Sequence, residues 1–199
     1  MSRACALSLL AVCFLSGCAS IKADQPTVMG PYVNRVDASS ARILWVSPAG
    51  APGADVHIRG GGQERTAVSV PTGIAGRDEL LHTVALDGLK AFTRYDYRIG
   101  AVEGSFRTAP EGAVPFRFVV YGDTRSRPAS HRSVSEAIAK EDPVLVVCTG
   151  DLVANGEVWE QWKPQFFDAA RSYLGKSVLW PVRGNHEMDA VFYRELFDL

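Results

Sequence analysis

The sequence predicts an all-β sandwich followed by an α/β domain, and three observations point to it. Between residues 28 and 109, short β-rich stretches are separated by turns containing Gly and Pro, and no segment has a helical period. After "TAPEGAVP" (Thr108 to Pro115), apolar runs alternate with helical stretches. Three of those runs end in a glycine followed by a polar residue, in "GDT", "TGDL" and "GNHE".

The N-terminus stands apart from this plan. "MSRACALSLLAVCFLSGC" carries one Arg and then twelve apolar or small residues, Ala4 to Leu15. That run is shorter than the roughly 20 residues a bilayer span needs, and it has the shape of an export signal. Its ending, "LSGC", resembles the bacterial lipobox, in which the cysteine is lipidated and becomes the new N-terminus. Residues 1–17 are therefore expected to be a lipoprotein signal peptide, Cys18 the lipidated residue and 18–27 a tether. Ala19 after the cysteine suggests the outer membrane or periplasm of a Gram-negative cell. Once the signal leaves, Cys18 and Cys148 remain, which excludes a disulfide framework. Cys148, in "VLVVCTGD", reads as a small buried hydrophobe on a strand.

Residues 28–109 supply the strand candidates "SARILWVS", "ADVHIR", "RTAVSV", "LLHTVAL", "RYDYRIGAV" and "GSFRTA". In "LDGLKAFTRYDYRI", Tyr95, Tyr97 and Ile99 share one face and Asp96 and Arg98 the other. Tyr95 resembles the tyrosine corner of immunoglobulin-like and fibronectin type III sandwiches, whose hydroxyl satisfies upstream backbone. Trp45 is a candidate core residue. His57 and His82 read as ordinary strand residues.

Residues 115–199 read β-α-β-α-β. "FRFVVYGD" is an apolar run ending in Asp123. "SVSEAIAKED" is helical, with Val134, Ala137 and Ile138 on one face and a capping box from Ser133 to Glu136. "PVLVVCTGD" is a buried strand ending in Asp151. "EVWEQWKPQFFDAARSYL" puts Trp159, Trp162 and Phe166 on one side of a helix that Pro164 kinks or splits. "SVLWPVRGNHE" is a third strand, ending in Asn185 and His186. Right-handed crossovers make the sheet parallel and bring its C-terminal ends to one edge, where α/β proteins bind ligands.

That edge receives two carboxylates, a carboxamide and an imidazole. Oxygen donors with an imidazole suit a divalent ion such as Mn, Fe or Zn. A single "GD" is an ordinary strand-to-loop turn, but three such endings in succession point to a metal centre. Hydrophobic content of 47% excludes a disordered chain, and a formal charge of −1 gives no general attraction to nucleic acid.

The blocks "GDTR", "GDLVANG" and "GNHE" are similar to those of the calcineurin-like metallophosphoesterases, and the preceding strands resemble the N-terminal fibronectin type III-like domain of purple acid phosphatases. The resemblance implies hydrolysis of phosphate esters, monoesters or diesters, by water activated between two divalent or mixed-valence ions of Fe, Mn or Zn. It implies that Asp123 binds the first metal, Asp151 bridges both, Asn185 binds the second, and His186 acts at the leaving-group oxygen. The partners it implies are a phosphate ester substrate and, through Cys18, a membrane.

Several positions depart from the family pattern. Arg125 stands where many relatives have a histidine ligand. It is either a fork for substrate phosphate or part of a structural ion pair. His131 is either a replacement ligand or a loop histidine. Ala154 stands where purple acid phosphatases carry a metal-binding Tyr, which argues against an Fe(III)–tyrosinate centre. The family's later metal-binding histidines do not follow, so the chain is expected to hold only the N-terminal part of the catalytic domain and to expose an apolar sheet edge. The competing expectation is a non-catalytic surface adhesion protein with a degenerate phosphoesterase domain. A weaker one is a phosphate-binding module that works without metal.

Overall fold

The computed structural model describes residues 27–197. The expected signal, Cys18 and most of the expected tether lie outside the described residues. In chain order the strands are β1 (Met29–Asn34), β2 (Ala41–Ser47), β3 (Asp55–Gly60), β4 (Gln63–Val68), β5 (Val70–Gly73), β6 (Leu80–Leu86), β7 (Arg94–Ile99) and β8 (Val102–Arg107). After an exposed segment come β9 (Phe118–Tyr121), α1 (Pro128–Lys140), β10 (Leu145–Cys148), α2 (Trp159–Gln161), β11 (Val178–Pro181) and α3 (Val191–Phe197). A π-helix, Trp162–Phe167, continues α2 directly.

The strands form two sheets, ordered β5-β6-β2-β1-β11-β10-β9 and β4-β3-β7-β8. Between them lies a core in which Ile43, Trp45 and Val84 meet Val56, Ile58, Tyr95 and Phe106. Tyr95 and Phe106 stack at 5.6 Å between ring centroids. The Lys90 backbone N–H donates to the Tyr95 hydroxyl at 2.8 Å, so the polar end of this buried ring has a partner. His82 is equally buried. Its ring stacks on Trp45, and its two nitrogens meet the hydroxyls of Ser47 and Ser69.

The seven-stranded sheet crosses the boundary expected between the two halves of the chain. β9, β10 and β11 are parallel, in the register Val119–Val146–Leu179. β1 then pairs in parallel with β11 at Val33 and Val178, so the β-rich half and the α/β half share one sheet. The second face of β1 and β2 explains the continuous apolar run "ILWV". Tyr32 and Leu44 point away from the first core into a second one with Trp162, Phe166, Phe167 and Phe197.

Several local expectations change. β1 and β5 fall outside the strand candidates; β1 contains Gly30-Pro31 and β5 contains Pro71, residues common in turns. "RYDYRIGAV" breaks at Gly100 into the hairpin β7–β8. α1 begins at Pro128, five residues before the expected cap, since proline at the first helical position loses no hydrogen bond. Ser133 is thus inside the helix, its hydroxyl bonded back to the Ala129 carbonyl, and no capping box forms. The buried face of α1 is His131, Ser135 and Ile138, while Val134 is exposed. Pro164, expected to interrupt a helix, lies in the π turn, where its missing N–H is accommodated by the wider register.

Candidate functional site

β9, β10 and β11 end at one edge, and their loops are fitted together without room for side chains at the glycines. A Cβ on Gly150 would stand 2.6 Å from the Gly184 Cα, and a Cβ on Gly184 would collide with Asp151. Asp123 and Asp151 both follow such glycines, and both take a left-handed backbone, each with φ of 54°. That conformation is sparsely populated, and Asp is among the residues that tolerate it. The shared geometry turns both carboxylates out at the end of adjacent strands.

Asp151 is the hub of the edge. Its carbonyl oxygen accepts the Thr124 and Arg125 amides, each at 3.0 Å, which ties the first loop to the second. Its Oδ1 accepts the His186 amide at 3.2 Å, which ties in the third. Its Oδ2 accepts a hydrogen bond from Nη1 of Arg125, and the same nitrogen donates to Oδ1 of Asp123. Two carboxylates therefore converge on one positive centre.

Glu187, a residue the sequence does not single out, anchors this arrangement. It is fully buried, and its oxygens accept four backbone N–H groups. Oε2 takes those of Asp151 and Gly184, at 2.9 and 2.8 Å. Oε1 takes those of Leu152 and Val153, at 2.8 and 3.2 Å. The available signal was its place directly after Asn185 and His186 in "GNHE", in a loop that must turn sharply beside a ligand.

His186 donates from Nδ1 to the Ala154 carbonyl at 2.7 Å, because a carbonyl oxygen can only accept. This places the ring proton on Nδ1 and leaves the Nε2 lone pair facing away from the Ala154 carbonyl. Asn185 is exposed in the same turn. His131 lies on the helix-covered side of the sheet, buried against Tyr121 and Phe166. Its Nδ1 donates to the Gln165 carbonyl at 3.0 Å, and its Nε2 meets the Tyr121 hydroxyl at 3.1 Å. Both ring nitrogens are thereby occupied, and burial lowers the imidazole pKa. Cys148 lies below the edge with no exposed surface, and burial pushes its thiol pKa up to about 12. It is a thiol rather than a thiolate at neutral pH.

Among the described residues, no three His, Cys, Asp or Glu side chains are grouped to hold a metal ion. The donors that do converge are the carboxylates of Asp123 and Asp151. The guanidinium between them stands in for a cation, so this oxygen pair fits a positive ion once Arg125 leaves it.

Residues 116–199 match the family model for calcineurin-like phosphoesterases. No curated protein matches the chain. Among solved structures, the chain has a 9% identical match to astrotactin-2, described as a conserved vertebrate-specific, perforin-like membrane protein involved in neuronal development. That match covers 58% of this chain and 26% of the other, with a TM-score of 0.31, too low to define a shared fold.

Proposed function

We propose that this chain is part of an exported, lipid-anchored metallophosphoesterase that hydrolyses phosphomonoesters or diesters. The observation that carries the reading is the convergence of the Asp123 and Asp151 carboxylates at the C-terminal edge of three parallel strands, within the segment that matches calcineurin-like phosphoesterases. Asp123, Asp151 and Asn185 are the residues that would hold divalent ions of Mn, Zn or Fe. Such ions, when bound, bind phosphate oxygens and lower the pKa of water.

The chain's own residues divide the remaining work. Asp151 carries the charge nearest the centre and fixes the loops on either side. The Ala154 carbonyl holds His186 in one tautomer, so that Nε2 is the atom that takes and gives a proton at the leaving group. Glu187 fixes the turn from which Asn185 and His186 project. Relatedness of residues 28–109 to the N-terminal domain of purple acid phosphatases is supported by the Lys90–Tyr95 hydrogen bond and the two facing sheets. Lipidation at Cys18 is supported by the apolar run and "LSGC".

The full chain is assayed on an aryl phosphate with Mn, Zn or Fe(II), as wild type and as Asp151→Asn. Asn tolerates the same left-handed backbone, so this variant removes charge without removing the turn. Expected are loss of turnover by a factor of about 100 or more in the variant, and abolition by a chelator. Turnover unchanged by both overturns the reading. One observation favours the non-catalytic alternative: Arg125 already pairs with both carboxylates.

A further inference from the structure

Arg125 bonds both carboxylates through one nitrogen. Its side-chain hydrogen bonds run from Nη1 alone, so Nε and Nη2 have no partner among the described residues. A guanidinium has five N–H donors in a planar fork suited to phosphate, and most of that fork is left over here. The base of the residue is fixed by its amide on the Asp151 carbonyl, while 30% of its side chain is open to solvent. Asp123 is the more exposed partner, at 74%, and Asp151 the less, at 14%. A divalent ion on the same oxygens would lie in contact with the guanidinium, and two cations at that distance repel strongly with so little water between them.

We propose that Arg125 is a displaceable internal cation. It pairs Asp123 with Asp151 in the absence of metal, releases them when a divalent ion binds, and then presents its free donors to a phosphate group held at the same edge. This rests on the reading that these carboxylates hold metal, and adds that metal entry and anion capture are coupled through one side chain. The apparent metal affinity is reduced by the fraction of molecules in which Arg125 is released. If that fraction is about one tenth, removing the guanidinium tightens metal binding about tenfold.

The experiment is calorimetric titration of the full chain with MnCl2, for wild type, Arg125→Met, Arg125→Gln and Asp151→Asn. Inorganic phosphate is then titrated into the Mn-loaded proteins, and Mn-induced shifts in melting temperature are recorded beside each titration. Both Arg125 variants are expected to bind Mn about tenfold more tightly than wild type, with a larger melting shift, and phosphate about tenfold more weakly. Using two variants guards against a folding defect in either. Equal Mn affinity in wild type and both Arg125 variants overturns the displaceable cation and leaves the phosphoesterase reading standing. Mn binding absent from every protein, or the same in Asp151→Asn as in wild type, overturns that reading and this inference together. Tighter Mn binding with unchanged phosphate affinity overturns the anion-capture half.

Discussion

Glu187 shows how much of the site depends on a residue that never reaches the substrate side. Its two oxygens serve four amides, two on each, from the loops after β10 and β11. An ionised carboxylate is acceptor-only and can satisfy all four. Gln at this position turns an NH2 toward two N–H groups, and Ala leaves all four without partners. Since one buried donor without a partner costs about 1–3 kcal/mol, Glu187→Gln is expected to lose about 3 kcal/mol in urea unfolding and to bind Mn more weakly. Unchanged stability would show that solvent can replace this carboxylate. The ligand candidates at this edge were legible because each ends an apolar strand after a glycine. Glu187 was not, because a buried carboxylate and a solvated one look alike in sequence, and only the amides of another loop distinguish them. His131 carried a similar ambiguity. Arg125 in place of a histidine makes His131 a candidate replacement ligand, whereas the start of α1 at Pro128 places its ring against Tyr121 and the Gln165 carbonyl.

At the scale of elements, the segment Trp159–Phe167 does more than pack its aromatic residues. The positions of Trp159, Trp162 and Phe166 were legible from their spacing, and all three are buried. The polar residues between them pin the loop that carries Asp151. Gln161 Oε1 accepts the Asn155 amide at 2.8 Å, and Gln165 Oε1 accepts the Ala154 amide at 2.7 Å. The Trp162 indole N–H donates to the Gly156 carbonyl at 3.0 Å, and the Gly156 amide reaches the His186 carbonyl at 2.9 Å. Ala154 in turn holds His186, so the helix sets the orientation of the imidazole through one loop residue. Glutamines four residues apart in an aromatic stretch read as a solvent face, which is why this clamp was not legible. The double variant Gln161→Met/Gln165→Met keeps side-chain length and removes both acceptors. Hydrogen exchange at residues 154–156 is expected to quicken by about tenfold or more, with a stability loss of about 2 kcal/mol. Exchange at wild-type rates would assign the rigidity of that loop to Glu187 and the Gly156 hydrogen bonds instead.

At the scale of the whole molecule, β1 decides whether this chain is one folding unit or two. The sequence suggests two domains joined by Thr108 to Pro115, because Gly30-Pro31 conceals the strand that joins them. With β1 in place, the seven-stranded sheet passes without a break from antiparallel to parallel pairing. Tyr32 sits at this junction with no exposed surface, its ring 5.4 Å from Phe167 and 5.8 Å from Phe197, and its hydroxyl bonded to the Leu196 carbonyl. Asn34 donates to the Phe197 carbonyl at 2.8 Å, and the Tyr97 hydroxyl to that of Gly175 at 3.2 Å. A second core thus uses residues from both halves, and neither half closes it alone. Thermal unfolding of the full chain should therefore be one cooperative transition, with the same midpoint in far-UV and near-UV circular dichroism. Tyr32→Ala removes an aromatic ring from that shared core and should cost about 3–5 kcal/mol. It should lower the midpoint seen by both probes equally. The discriminating result is calorimetric: two resolved heat-capacity peaks, of which Tyr32→Ala shifts only one, would mean that β1 belongs to one half and merely touches the other.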